Sequence, residues 1–137
     1  MYSKNLRREE GRGAESLVSQ KIVKKVIEIV ENKKAKSIVL LNLQGISLIA
    51  DYFVVCSGES SSHMQSIAQE LEKRLKENGL KLISAKDFTN KCWILLDFGV
   101  IVIHIFSKKG REFYQLERLW ADAQKTVFGD ELEKLGA

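Results

Sequence analysis

The chain has 137 residues, 45% of them hydrophobic, with a formal net charge of +4 and no proline. That length fits one domain able to bury about two-thirds of its unfolded surface, so neither a disulfide nor a metal staple is required. The basic residues are dispersed and interleaved with acids, which favours a solvated surface over a dedicated nucleic-acid groove, and no apolar run approaches the ~20 residues that cross a bilayer.

Residues 1–14 read as a flexible extension: the start is polar, lacks the apolar run of a secretory signal, and mixes Arg7, Arg8 and Arg12 with Glu9 and Glu10, unlike a transit peptide. Residues 15–129 read as a single domain and residues 130–137 as a tail. Glu15–Lys34 carries Val18, Ile22, Val26, Ile29 and Val30 on one stripe, the signature of an amphipathic helix, with Ser16 as its N-cap. Ala35–Leu43 is a short apolar strand, Gln44-Gly45 a turn, and Asp51–Ser57 a second strand close enough to pair with the first as a hairpin. Ser60, Ser61 and Ser62 offer N-caps for a second helix, whose apolar stripe is Met64, Ile67, Ala68, Leu71 and Leu75, with Glu70 and Arg74 spaced for an i,i+4 pair. Asn78-Gly79 ends that helix, Leu80–Lys86 is a moderate strand, and Asp87–Asn90 is a loop.

The stretch from Lys91 to Trp120 organises the rest. Cys92–Phe98 and Val100–Phe106 are two apolar strands joined by a turn at Gly99, and both look covered on their two faces. From Arg111 the period changes, and Phe113, Leu116, Trp120 and Ala123 form one helical stripe that predicts a last helix ending at Gly129. The element order is therefore α-β-β-α-β-β-β-α, an α/β layer sandwich with a mixed sheet. Cys56 and Cys92 sit inside apolar runs as small hydrophobes, which predicts a reduced, intracellular chain, and neither histidine has metal-ligand spacing with them.

Four ordered blocks carry a resemblance: A-D-Y-F-V-V-C-S-G-E-S-S at 50–61, W-I-L-L-D-F-G at 93–99, V-I-H-I-F at 102–106 and R-E-F-Y-Q-L-E-R-L-W at 111–120. Together they resemble the ribosomal silencing factor family, also called Iojap-like proteins, over about Glu15 to Lys125. The family usually carries a Glu-Gly pair before the W-x-x-L-D strand, where this chain has Asp87-Phe88-Thr89-Asn90. The resemblance implies a nucleotidyltransferase-like fold without catalysis. It implies binding to the large ribosomal subunit through ribosomal protein L-fourteen, which blocks subunit joining and represses translation. It also implies a cytoplasmic protein that is a homodimer off the ribosome, with peripheral contact to ribosomal RNA and no membrane partner. A role in large-subunit assembly is the alternative within the family.

The residues marked for partner binding are Trp93, Asp97, His104, Arg111, Tyr114, Glu117, Arg118 and Trp120. Asp97 and Glu117 read either as solvated or locally paired carboxylates, or as acidic contacts to a basic ribosomal protein. Trp93, near a strand start, suits an exposed anchor, and Trp120 shares the core stripe. His104 in an apolar strand fits a hydrogen-bonded structural histidine better than a base. Arg111 and Arg118 either pair with Glu117 or Asp122, or reach RNA phosphate. The opposing reading is a nucleotidyltransferase, which needs two carboxylates one residue apart on a strand and a Gly-Ser turn into a helix. Ser57-Gly58-Glu59-Ser60 resembles that turn weakly, but the only acid-x-acid spacings are Glu70/Glu72 and Glu131/Glu133, neither on a strand. No catalytic, cofactor or metal-binding residue is assigned, and an RNA-binding module would show aromatic strand motifs or a basic stripe that are missing.

Overall fold

The computed structural model describes residues 12–88 and 92–128, with side chains from Gln20 onward apart from that of Phe88. Residues 1–11 of the expected extension, residues 89–90 of the expected loop with residue 91, and residue 129 with the tail at 130–137 lie outside the described residues.

A six-stranded mixed sheet forms the centre, in the order β3-β4-β5-β2-β1-β6. Helix α1 spans Arg12–Asn32 and leads into β1, Lys36–Asn42. β2, Tyr52–Ser57, returns antiparallel beside β1, the hairpin expected from the short link between them. Helix α2, Ser61–Glu77, crosses to β3, Ser84–Phe88. β4, Trp93–Asp97, and β5, Ile101–Phe106, form the second hairpin, closed by Gly99 at φ 88°, where a side chain would be strained. β5 then lies parallel to β2, with Tyr52 opposite Ile101 and Ser57 opposite Phe106.

One face of the sheet is the main core. Val26, Ile29 and Val30 of α1 and Met64, Ile67, Leu71 and Leu75 of α2 pack on Val54, Cys56, Ile94, Leu96, Ile103 and Ile105. These belong to the two stripes expected from the sequence, of which Val18 falls outside the described side chains, and each such burial contributes about 1.5–3 kcal/mol. Ser60 caps α2 by accepting from the His63 N–H at 3.1 Å, and Gly79 follows its end at φ 86°. No helix among the described residues is long and apolar enough to cross a membrane.

Five expectations are corrected. Helix α1 begins at Arg12, so Ser16 lies inside it rather than capping it. Arg74 turns to Glu28 of α1 at 3.4 Å instead of Glu70, because α1 lies alongside and offers a closer carboxylate. The third strand is Ser84–Phe88, set by pairing with Trp93–Asp97, so Asp87 and Phe88 belong to a strand and not to the loop. β4 is fully covered on one face and partly on the other: Ile94 and Leu96 are buried, while Trp93, Leu95 and Asp97 are half-buried.

The largest change concerns the last helix. Helix α3 covers Lys108–Tyr114, Gln115 takes a left-handed φ of 47°, and a single turn α4, Leu116–Leu119, follows. The chain then extends as β6, Gln124–Phe128, antiparallel to β1. The open edge of β1 supplies backbone partners that a continued helix could not, and Lys-Thr-Val-Phe suits a strand. The expected stripe is thereby broken: Leu116 and Ala123 are buried, but Phe113 is 80% exposed.

Candidate functional site

Alternation along the strands assigns the second face of the sheet. Trp93, Leu95 and Asp97 of β4 share it with Phe106, His104 and Val102 of β5, their register partners. Phe53 and Val55 continue it on β2, and Leu41 and Val39 on β1. Among the described residues, α3, α4 with the turn after it, and the chain around Leu43 and Ala50 cover this side, through Leu116, Tyr114, Trp120 and Ala123. Gly110 makes the covering close, because a Cβ there would strike the Cys92 carbonyl. The Ser107 hydroxyl caps α3 by accepting from the Gly110 N–H at 2.9 Å, and the Ser107 N–H donates to the Cys92 carbonyl at 2.9 Å. The start of α3 is thus pinned to the start of β4.

That pinning lays Tyr114 on Trp93, with ring centroids 4.7 Å apart. Trp93 also stacks on Phe106 at 5.1 Å, and its indole N–H donates to His104 Nδ1 at 3.1 Å. His104 meets Phe53 at 4.5 Å, and Phe53 meets Trp120 edge-on at 5.7 Å. At the other end the exposed Phe113 ring sits edge-on to Tyr114 at 4.9 Å. The result is an unbroken ladder of rings, Trp120–Phe53–His104–Trp93–Tyr114–Phe113. Aromatic pairs of this geometry add about 0.5–1.5 kcal/mol each beyond their buried area.

His104 is 3% exposed, and burial lowers its pKa to about 3. Because Nδ1 accepts from Trp93, the ring proton sits on Nε2, which is buried with no partner among the described residues. His104 is therefore a neutral structural histidine that holds the indole in place. Cys56 is equally inert, its thiol pushed up to about 12 chiefly by burial, against the opposing pull of the Arg111 charge.

Arg111 bridges three elements. Its Nε and Nη2 donate to Glu117 Oε1 and Oε2, each at 3.1 Å, and Nη1 donates to Ser57 Oγ at 3.0 Å. This fork spans the break at Gln115 and ties α3 to α4 and to the end of β2. Arg118, by contrast, is exposed and in no ion pair among the described residues.

Of the residues marked from sequence, the fold brings together Trp93, His104, Tyr114 and Trp120 in one packed cluster, His104 buried and the other three half-buried, with Arg111 and Glu117 as its clamp. Asp97 stands apart from Trp93, four residues further along β4, or about 13 Å at ~3.3 Å per residue. Its Oδ1 accepts from the Gly99 N–H at 2.8 Å. Phe53, Phe106 and Phe113 were missed. Strand alternation could have found the first two, since Phe53 and Val55 bracket a face, but nothing local announces that Phe113 turns outward. Among the described residues no group of three or more His, Cys, Asp or Glu is placed to hold a metal.

Comparison with known proteins sets this geometry in a family. The family model described as "Ribosomal silencing factor during starvation" matches residues 16–136. The chain is 41% identical over 105 residues to the ribosomal silencing factor of Halalkalibacterium halodurans, covering 77% of this chain and 90% of that one. It is 39% identical over 107 residues to the Bacillus subtilis factor, covering 77% and 91%. A crystal structure of a Chromobacterium violaceum protein superposes with a TM-score of 0.71 at 29% identity, covering 80% of this chain and 91% of that one. The chain thus belongs to the ribosomal silencing factor family.

Proposed function

We propose that this chain is a ribosome-associated silencing factor that works by occlusion. Family membership carries the reading. In it, the protein binds the large ribosomal subunit through ribosomal protein L-fourteen and blocks docking of the small subunit, which represses translation. Occlusion needs a rigid, well-placed surface and no chemistry. The mixed sheet serves in this reading as such a surface, and no described strand carries an acid-x-acid pair.

The ladder of rings supports the placement of the contact. Trp93, Tyr114 and Trp120 supply aromatic area, the kind of side chain that dominates interface energetics. His104, Arg111 and Glu117 hold that area in shape. Asp97, at the far end of β4, offers a negative charge to a basic partner, and Arg118 offers a peripheral cation to ribosomal RNA. The protein acts in the cytoplasm and is a homodimer when off the ribosome.

Co-sedimentation with isolated large subunits, isolated small subunits and paired ribosomes tests the reading. The expected result is pelleting with large subunits and reduced reassociation. Equal binding to both subunits would overturn it, and binding to large subunits with unchanged reassociation would favour the assembly role instead.

A further inference from the structure

A cleft of about 500 Å3 opens at the carboxyl ends of β2 and β5, the parallel pair of the sheet. Each strand runs directly into a helix, β2 through Gly58 to α2 and β5 through Ser107 to α3. The space outside the carboxyl ends of parallel strands, between two such turns, is where α/β folds hold ligands. Lys36, opposite Ser57 in the β1–β2 register, enters from one side, and Lys108 and Arg111 enter from the first turns of α3. Among the described residues neither lysine is in an ion pair.

Donors converge there. Arg111 uses three of its five N–H groups on Glu117 and Ser57, which leaves two. Ser57 accepts in its bond to Arg111, so its own hydroxyl proton stays available for a ligand. The rim also holds a strained residue: Ser37 has a φ of 50° where β1 bulges between Lys36 and Val39. Strain of this kind gathers at ligand sites. Glu59 and Glu112, both exposed, flank the same opening. With Glu117 they balance the cations, so the cleft is a local cluster of donors and not part of a positive track.

We propose that this cleft binds the terminal phosphoryl group of a small phosphorylated molecule, held by Lys36, Lys108 and the Ser57 hydroxyl, with the remaining Arg111 N–H groups beside it. The carboxylates set the ligand size. A polynucleotide would bring its next phosphates onto Glu59 or Glu112, whereas a single phosphoryl group fits between the lysines. The volume lies within the range of small-molecule sites, about 300–1,000 Å3. The assignment goes beyond the silencing role and does not rest on it.

The test is an NMR titration of the full 15N-labelled chain with inorganic pyrophosphate, at constant ionic strength, with sodium chloride as the control. Saturable shifts are expected at the amides of Ser57–Glu59 and Lys108–Glu112. They should weaken about tenfold or more in Lys108→Glu, the scale of one charge-assisted hydrogen bond. Lys108→Ala should weaken them in the same direction and keeps the test valid should the charge reversal disturb the fold. The proposal is overturned if chloride reproduces the shifts, if both variants bind like the unaltered chain, or if a short single-stranded RNA binds the same amides more tightly than pyrophosphate.

Discussion

A tryptophan whose N–H is held from beneath presents its ring at a fixed angle, and Trp93 is such a residue through its bond to His104 Nδ1. Trp93→Ala should cost roughly 2 kcal/mol or more of affinity for ribosomal protein L-fourteen if it is an interface anchor. Trp93→Phe, which keeps a ring on Phe106 and Tyr114 but loses the hydrogen bond, should bind better than the alanine variant. Pull-downs with purified L-fourteen, with thermal melts as the control, decide this. Wild-type binding by Trp93→Ala would remove Trp93 from the interface. His104 itself makes a prediction in pH. Folded, its pKa is lowered to about 3; unfolded, it titrates near 6.5. Between those values the unfolded chain takes up a proton that the folded chain refuses. Stability from this group is complete above pH 6.5 and falls as pH drops toward 3, by about 2 kcal/mol at pH 5. Denaturant melts at pH 7 and pH 5 should show that loss in the wild type and a smaller one in His104→Gln. Equal losses in both proteins would assign the acid sensitivity elsewhere.

At the level of elements, α3 depends on two backbone positions of opposite character. Gly110 touches the Cys92 carbonyl, so Gly110→Ala should force α3 off β4 and destabilise by about 1–3 kcal/mol, the usual cost of overpacking. Gln115 is left-handed at φ 47°, a region that costs an L-residue about 1–2 kcal/mol. Gln115→Gly relieves that strain while adding unfolded entropy, so it should be neutral or stabilise by up to about 1 kcal/mol. Melting curves of the two variants should move in different directions; a loss in Gln115→Gly as large as that in Gly110→Ala would deny the strain. The same residues explain what the sequence made legible. The two helical stripes, the two hairpins and the mixed sheet follow from periodicity and glycine turns, which are local signals. The break at Gln115 does not, because glutamine is an ordinary helix former and the left-handed turn is imposed by the Arg111–Glu117 fork and by β1 recruiting β6. Hence Trp93 and Tyr114 could be marked together from sequence, and a local pair for Glu117 with Arg111 is one of its two readings, whereas the outward turn of Phe113 required the fold.

For the molecule as a whole, the two acidic residues marked for a basic partner now separate. Asp97→Lys alters a turn at the sheet's end, where Asp97 holds the Gly99 N–H, and should weaken binding to L-fourteen while lowering stability by only about 1 kcal/mol. Glu117→Lys places a cation against Arg111, a pair only partly open to solvent, and should lower stability on the order of 1–3 kcal/mol before any partner is involved. Circular dichroism melts beside the pull-downs distinguish the two. An early melt for Asp97→Lys with a normal one for Glu117→Lys would reverse the assignment.

The pairing of β6 with β1 also governs how the chain is made. The two strands are joined by residues more than eighty positions apart, Asn42 with Gln124 and Ile38 with Phe128. During synthesis, β1 therefore waits with one hydrogen-bonding edge open until Gln124–Phe128 has emerged. Non-local closures of this sort slow folding and lengthen the exposure of sticky edges. A nascent chain stalled before Gln124 would hold a five-stranded sheet with Val39 and Leu41 on a bare margin, ready to join any strand it meets.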